Sequence, residues 1–425
     1  MSKATPHDRV LRAVEDARDE LVALTQALVR IPTVNPPGDA YEPCARFLGD
    51  TMRGLGFAVS YHVAEERPEH TAAHPRVNVV GRKAGVFDRP CVHLNGHFDV
   101  VPAGSGWTHD PFGGAVADGR IYGRGTSDMK AGLAAALLAV ECVRRAGVTL
   151  AGTVEVSGTV DEESGGWAGV AHLAQAGRLT ARTVDHVIIP EPLEVDRICI
   201  GHRGVYWFAV EATGRIAHGS MPFLGASAIE HLGELLHAVR AELQPALARR
   251  HTAMPVVPEG ARRATLNVNS ITGGQAGHDV QTPCVAHAAH AILDRRYLEE
   301  ESLDDVRGEV IALLRSVERR IPEARFTLRD LMVVPPVRTP DGSPLVAAVA
   351  RGIADVVGRE AALVASPGTY DHKHVARLGG IADCVAYGPG RLELSHQPDE
   401  WCDIGELVQA TQVLALSLVA LLGAR

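Results

Sequence analysis

Five short clusters in this chain carry the residue types that bind metal ions or move protons. The first is His97-Phe98-Asp99, directly after the apolar run Val92-His93-Leu94-Asn95-Gly96. Open α/β sheets bind ligands at strand C-termini, and a ligating histidine usually donates its other ring N–H to a partner, for which Asp99 is the candidate. The second is Asp128 within Gly123-Arg124-Gly125-Thr126-Ser127-Asp128-Met129-Lys130-Ala131-Gly132. A plain helix N-cap is the alternative reading of Asp128, but it does not account for the glycines around it. The third is Asp161-Glu162-Glu163, after a β-branched run ending at Val160. Adjacent carboxylates raise each other's proton affinity unless a cation relieves them. One is a candidate ligand and its neighbour a candidate general base; a solvated acidic turn is the alternative. Glu191, held between Pro190 and Pro192, and His396 within Ser395-His396-Gln397-Pro398-Asp399-Glu400 complete the set. Two histidines and three carboxylates without cysteine suit one or two divalent ions, Zn2+, Co2+ or Mn2+. A bridging carboxylate would hold a pair of them ~3.5–4 Å apart.

The elements that must deliver these residues read as follows. Residues 10–30 have apolar residues at helical spacing, stopped by Ile31-Pro32-Thr33-Val34-Asn35-Pro36-Pro37-Gly38. Strands are expected at 77–81, 91–95, 153–160 and 187–189, with a helix at 132–144. Strands separated by helices argue for a mostly parallel mixed sheet flanked by helices. From Gly204 the order becomes strand 205–212, helix 227–240, strands 264–271 and 285–293, helix 301–315 and strand 325–334, closed by Pro335-Pro336. That order suits a two-layer α+β domain. The expected organisation is therefore a catalytic domain of residues 1–203 and 337–425, with an inserted domain at 204–336.

Composition narrows the function. At 425 residues the chain exceeds what one core usually organises. A net charge of −9 argues against a nucleic-acid surface. The apolar runs, such as 131–140, stop short of the ~20 residues a bilayer requires, and residues 1–12 lack a signal-like apolar core. Seven scattered cysteines without a CxxC pair suit reduced thiols in the cytoplasm.

The motifs G-H-F-D-V, G-R-G-T-S-D-M-K-A-G, D-E-E, E-P and S-H-Q-P-D-E, in this order, resemble those of one dinuclear metallohydrolase family. It contains acetylornithine deacetylase, succinyl-diaminopimelate desuccinylase, aminoacylase and bacterial glutamate carboxypeptidase. The resemblance implies that Asp128 bridges two ions, that His97 and Glu191 ligate one, and that Glu163 and His396 ligate the other. It implies that Glu162 is the general base and that Asp99 orients His97. It further implies a homodimer built through the inserted domain, with His218 of Gly214-Arg215-Ile216-Ala217-His218-Gly219-Ser220 stabilising an oxyanion in the partner's site. Arg296 is a candidate clamp for a substrate carboxylate, with a surface ion pair as the alternative.

Departures from the family pattern bear on the substrate. Lys373 stands where members often carry an arginine, in Gly368-Thr369-Tyr370-Asp371-His372-Lys373-His374, and a lysine is a point charge rather than a fork. Tyr370 and His372, with His374, add rings near the expected substrate pocket. The family's lid asparagine has no clean counterpart; His278 or Asp279 stands there. The expected activity is hydrolysis of a C–N bond in a small N-acyl amine or amino acid bearing a carboxylate. An aminohydrolase acting on an amino-substituted aromatic acid is the alternative, and a dipeptidase or carboxypeptidase and a non-catalytic binding protein are further ones.

Overall fold

A computed structural model describes residues 4–274 and 283–423. The chain divides into two compact units. One comprises Met1–Gly201, Arg338–Val364 and Tyr370–Arg425, the other His202–Val337 and Ala365–Thr369.

The first unit is built on a mixed sheet. Its strand order includes Ala58–Val63, Val77–Lys83, Thr153–Thr159, Cys91–His97, His186–Ile189, Cys384–Ala386 and Arg197–His202. Cys91–His97 runs parallel to both of its neighbours, and Cys384–Ala386 runs parallel to His186–Ile189. Val77–Lys83 is antiparallel to the strands on either side of it. The central strand is buried along its whole length, as an apolar strand covered on both faces should be. Its register pairs His93 with Glu155, Asn95 with Ser157 and His97 with Thr159. Period-2 alternation therefore puts His93, Asn95 and His97 on one face.

The helical stretch expected at 10–30 is two helices, Pro6–Asp16 and Arg18–Val29, divided at Ala17. Helix Ala131–Arg145 is buried from Ala131 through Val143. Its Gly132 is there for close approach, because a Cβ would stand 2.0 Å from the carbonyl oxygen of Pro190, the residue before Glu191. Helix Ile404–Leu422 corrects the expectation that no apolar segment approaches membrane length. It has 19 residues and a mean hydropathy of 1.6. Gly405, Glu406, Gln409 and Thr411 interrupt its apolar run, which hides it from a simple reading. It packs against Ala131–Arg145 and Pro344–Val357, with Leu407, Val413, Leu414 and Leu418 fully buried.

The second unit has a four-stranded antiparallel sheet in the order Thr265–Gly273, Ala288–Tyr297, Gly204–Thr213, Arg325–Val334. Helices Ala228–Ala238 and Leu303–Arg320 close its core with Leu232, Leu235, Val310 and Val317. Strand Ala288–Tyr297 runs further than expected, so Arg296 lies inside it rather than beyond its end.

Candidate metal centre

His97 ends the central strand and is 1% exposed. Its Nδ1 lies 3.1 Å from the carbonyl oxygen of Asp99. A carbonyl only accepts, so Nδ1 carries a proton and Nε2 is the free nitrogen. That nitrogen faces two acceptors, Asp128 Oδ1 at 3.1 Å and Glu191 Oε1 at 3.8 Å. Across Asp128, His396 Nε2 lies 3.7 Å from Oδ2, and 3.0 Å from Glu163 Oε2. The five residues form two triplets, His97–Asp128–Glu191 and Asp128–Glu163–His396, whose ligand atoms lie within 4.8 Å of one another. Asp128 belongs to both.

The electrostatics of this cluster favour added positive charge. Burial, then the Asp128 charge, push Glu191 well above the usual carboxylate range. The same two causes raise Glu163, against the pull of His396. Burial would depress His97, but Asp128 and Asp99 overcome it and hold the imidazole well above its ordinary value. Three carboxylates within reach of each other attract whatever positive charge is available, protons included. Nitrogen and carboxylate oxygen donors arranged around a shared aspartate fit divalent ions.

A network of buried polar groups places the ligands, and several of its members stand in the motifs without an assigned role. Glu400, four residues after His396, accepts backbone N–H groups from Gly125 at 3.0 Å, Ser127 at 2.8 Å and Asp128 at 3.1 Å. Its other oxygen lies 2.5 Å from Arg124. One carboxylate thus ties the Asp128 turn to the His396 loop. The turn begins at Gly125, whose φ of +86° favours glycine. His396 itself has a φ of +66°, a left-handed conformation that persists only where the surroundings enforce it.

Asp99 differs from the expected histidine partner. Its carboxylate lies 3.5 Å from His97 Nδ1, but it accepts the backbone N–H groups of Glu162 at 3.1 Å and Glu163 at 3.2 Å, and the Asn35 amide at 2.9 Å. It orients the Asp161-Glu162-Glu163 turn at least as much as the ring. Asp161 is held by the Tyr41 hydroxyl at 2.8 Å and Arg76 at 3.0 Å. Lys130 Nζ donates to the carbonyls of Leu28 and Ile31.

The remaining candidates separate. Lys373 lies beside the cluster, its Nζ 3.5 Å from Glu162 Oε1. Tyr370 and His372 are buried, and the Tyr370 hydroxyl reaches Cys199 Sγ at 3.5 Å and His372 Nδ1 at 3.3 Å. Both rings are packed in the interior. Arg296 is paired with Asp294 within its own strand, at 2.8 and 3.0 Å. His218 belongs to the second unit, its Nδ1 2.7 Å from Ser220 Oγ. His278 and Asp279 lie outside the described residues.

Comparison with known proteins decides the family. The profile of peptidase family M20/M25/M40 matches residues 93–420, which is most of the chain. The chain belongs to this family. The match carries the motif positions from His97 to His396. A succinyl-diaminopimelate desuccinylase of Methylobacterium radiotolerans is 28% identical over 413 residues, covering 93% of this chain and 95% of that one. Among solved structures, human carnosine dipeptidase 1 superposes with a TM-score of 0.75 at 18% identity, covering 99% of each chain. A dinuclear metal-binding peptidase of the family from Bacillus subtilis superposes at 0.68 and 17% identity, covering 96% of this chain and 99% of that one. This M20 chain is a metal-dependent hydrolase of amide or peptide bonds, which removes the non-catalytic alternative. The aminohydrolase alternative finds no support in these relatives.

Proposed function

We propose that this M20 hydrolase deacylates a small N-acyl amino acid that bears a free carboxylate. The observation that carries the reading is the Asp128-centred double triplet with Glu162 beside it. Desuccinylases aligned over nearly the whole chain support the substrate class. His97, Asp128 and Glu191 would hold one ion, and Asp128, Glu163 and His396 a second, with Zn2+, Co2+ and Mn2+ the suited metals. Bound there, such ions supply Lewis acidity, which lowers the pKa of water from 15.7 to ~7.

The protein's own groups do the rest. Glu162 takes the proton of the attacking water and hands it to the departing amine. Asp99 keeps Glu162 in place through the backbone. Lys373 supplies the positive charge for the substrate carboxylate; Arg296, already paired with Asp294, is the weaker candidate. We propose that residues 204–336 form a lid through which two copies associate, with His218 donating to the oxyanion of the partner's site. The exposed side chains of Phe223 (77%), Leu224, Ile229 and Ile271 on that unit support an interface there. The seven free cysteines support a reducing, cytoplasmic setting.

The first test is a substrate panel of N-succinyl-diaminopimelate, N-acetyl amino acids, their carboxamides and dipeptides, read by release of free amine. Turnover of N-acyl amino acids well above their carboxamides is expected. Turnover of dipeptides alone would transfer the reading to a peptidase. The dimer is tested by mixing. His218→Ala and Glu162→Gln proteins, each nearly inactive, should recover up to about half of the activity per site in exchanged hybrids if His218 acts in trans. No recovery after exchange verified by mass spectrometry removes the trans role.

A further inference from the structure

His374 stands on the same short helix as Lys373, His372–Arg377, and the reaction as set out above does not use it. It is 5% exposed, and its Nε2 lies 2.7 Å from the carbonyl oxygen of Gly165. A carbonyl only accepts, so Nε2 carries the proton and donates. Gly165 belongs to the turn that begins at Asp161. Its own N–H donates to the Glu162 carbonyl at 2.8 Å, and the N–H of Gly166 to the Asp161 carbonyl at 2.6 Å. Asp99 pins this turn at the N–H groups of Glu162 and Glu163. His374 pins its far end, from an element 209 residues further along the chain.

The packing around this bond is close. A Cβ at Gly166 would stand 2.6 Å from Asp371 Oδ1 and 3.1 Å from His374 Cδ2. Residues 371 and 374 are three apart and share one face at the helix start, and the turn lies on that face. The half-exposed indole of Trp167 packs on the imidazole, their centroids 4.9 Å apart, and Arg67 stands 5.6 Å over the indole. Burial, then the neighbouring Lys373 charge, hold the His374 imidazole down at about 4. The ring is therefore neutral at physiological pH, and its single proton is the one directed at Gly165.

The start of the helix is anchored separately, to the central sheet. Asp371 Oδ2 accepts from Asn95 Nδ2 at 3.0 Å. Two hydroxyls approach Asn95 Oδ1, Ser157 Oγ at 2.7 Å and Thr159 Oγ1 at 3.3 Å, so the amide nitrogen is the end that faces Asp371. Ser157 is held in turn by His93 Nε2 at 2.7 Å, whose Nδ1 lies 3.1 Å from Glu155. This polar file runs along the face of the sheet that carries His97. It fixes the helix against the sheet, and His374 ties the helix to the turn. Between the two anchors Lys373 Nζ reaches Glu162 Oε1 at 3.5 Å. A contact of that length between two side-chain ends leaves the backbones behind them free to shift. A 2.7 Å bond from a buried ring to a main-chain oxygen does not.

We propose that His374 is a positioning residue whose N–H, given to the Gly165 carbonyl, sets the spacing between the turn that carries Glu162 and the helix that carries Lys373. The inference rests on the reading of Glu162 as the general base and Lys373 as the cation for the substrate carboxylate. Base and cation then meet one substrate in a fixed register.

The test compares two substitutions in the metal-loaded enzyme, using the best substrate of the panel above. His374→Leu keeps an apolar side chain against Trp167 but has no donor. It should lower kcat about tenfold with metal content unaltered. His374→Gln places an amide N–H near the position of Nε2, and should return kcat to within about threefold of the unsubstituted enzyme. If the two variants behave alike, whether both active or both impaired, the N–H is not the determinant and the proposal is overturned. A cycle with Glu162→Gln checks that the loss passes through the base. On that background His374→Leu should cost less than about threefold, since misplacing an absent base changes little; a full tenfold loss there overturns the proposal. If Glu162→Gln alone keeps full activity, the reading of Glu162 fails, and the crystal structure of His374→Leu decides for His374. A turn displaced from the helix, with the Lys373–Glu162 pair lengthened, upholds the positioning role, and an unmoved turn ends it. Should His374→Leu fail to fold, His374→Asn takes its place with the same expectations, because its shorter amide does not reach the Gly165 carbonyl.

Discussion

Stripping the protein of divalent ions is expected to abolish turnover, and adding back Zn2+, Co2+ or Mn2+ to restore it. The expectation follows from the two triplets around Asp128. Without an ion, no group near the water has the strength to make it a nucleophile at neutral pH, since the ion's share is to bring the pKa of water from 15.7 to ~7. The cluster's own proton chemistry adds a second observable. Burial and the Asp128 charge push Glu163 and Glu191 up, so in the metal-free state these carboxylates tend to hold protons. Binding an ion must expel those protons, and the sign follows: metal affinity rises as pH rises through the range where they titrate, and falls in acid. Calorimetry in buffers of different ionisation enthalpy should report net proton release on binding. The thermal midpoint should rise with metal concentration, because ions that bind only the folded form stabilise it. Undiminished turnover by protein shown metal-free by elemental analysis would contradict the central claim.

The ligand set was legible in the sequence because it sits where apolar runs end, and strand ends are recognisable from a short window. His97 after residues 91–96, Glu163 after 153–160 and Glu191 after 187–189 are each read this way, and the structure brings them within reach of Asp128 and His396. What the sequence hid was the support. Glu400 works by accepting backbone N–H groups of residues 125–128, and backbone donors carry no residue identity to search for. Its side chain reads as one more acidic residue after a histidine. Asp99 reads as the partner of His97 because a single residue separates them, whereas its main work is on a turn more than sixty residues away. Asn95 lay inside a run read as a plain buried strand, although an asparagine, a histidine and a serine on one face of a central sheet signal a polar file. In the second unit the order of strands and helices was legible from turn residues and periodicity. The ends of the strands were not, which is why Arg296 lies inside strand Ala288–Tyr297 and is spent on Asp294.

Replacing Glu162 with glutamine is expected to lower kcat by ~10²–10⁴-fold while leaving the metal centre loaded. The argument starts from geometry. Glu162 and Glu163 are consecutive, and both backbone N–H groups are pinned by Asp99. Their side chains nevertheless diverge, Glu163 to His396 at 3.0 Å and Glu162 to Lys373 at 3.5 Å. Only Glu163 belongs to a ligand triplet. Glutamine keeps the length of the side chain and the backbone bond to Asp99 but cannot take up a proton, so the loss isolates proton transfer from architecture. Metal content by elemental analysis should therefore match the unsubstituted protein, and KM for the acid should change little, because Lys373 itself is untouched. Glu163→Gln provides the contrast, since it should weaken one ion as well as the rate. The two substitutions sit side by side in the chain. A shared phenotype would mean that both carboxylates act as ligands, and the base would have to be sought elsewhere in the site. A loss of rate without loss of metal, confined to position 162, assigns the proton transfer to Glu162.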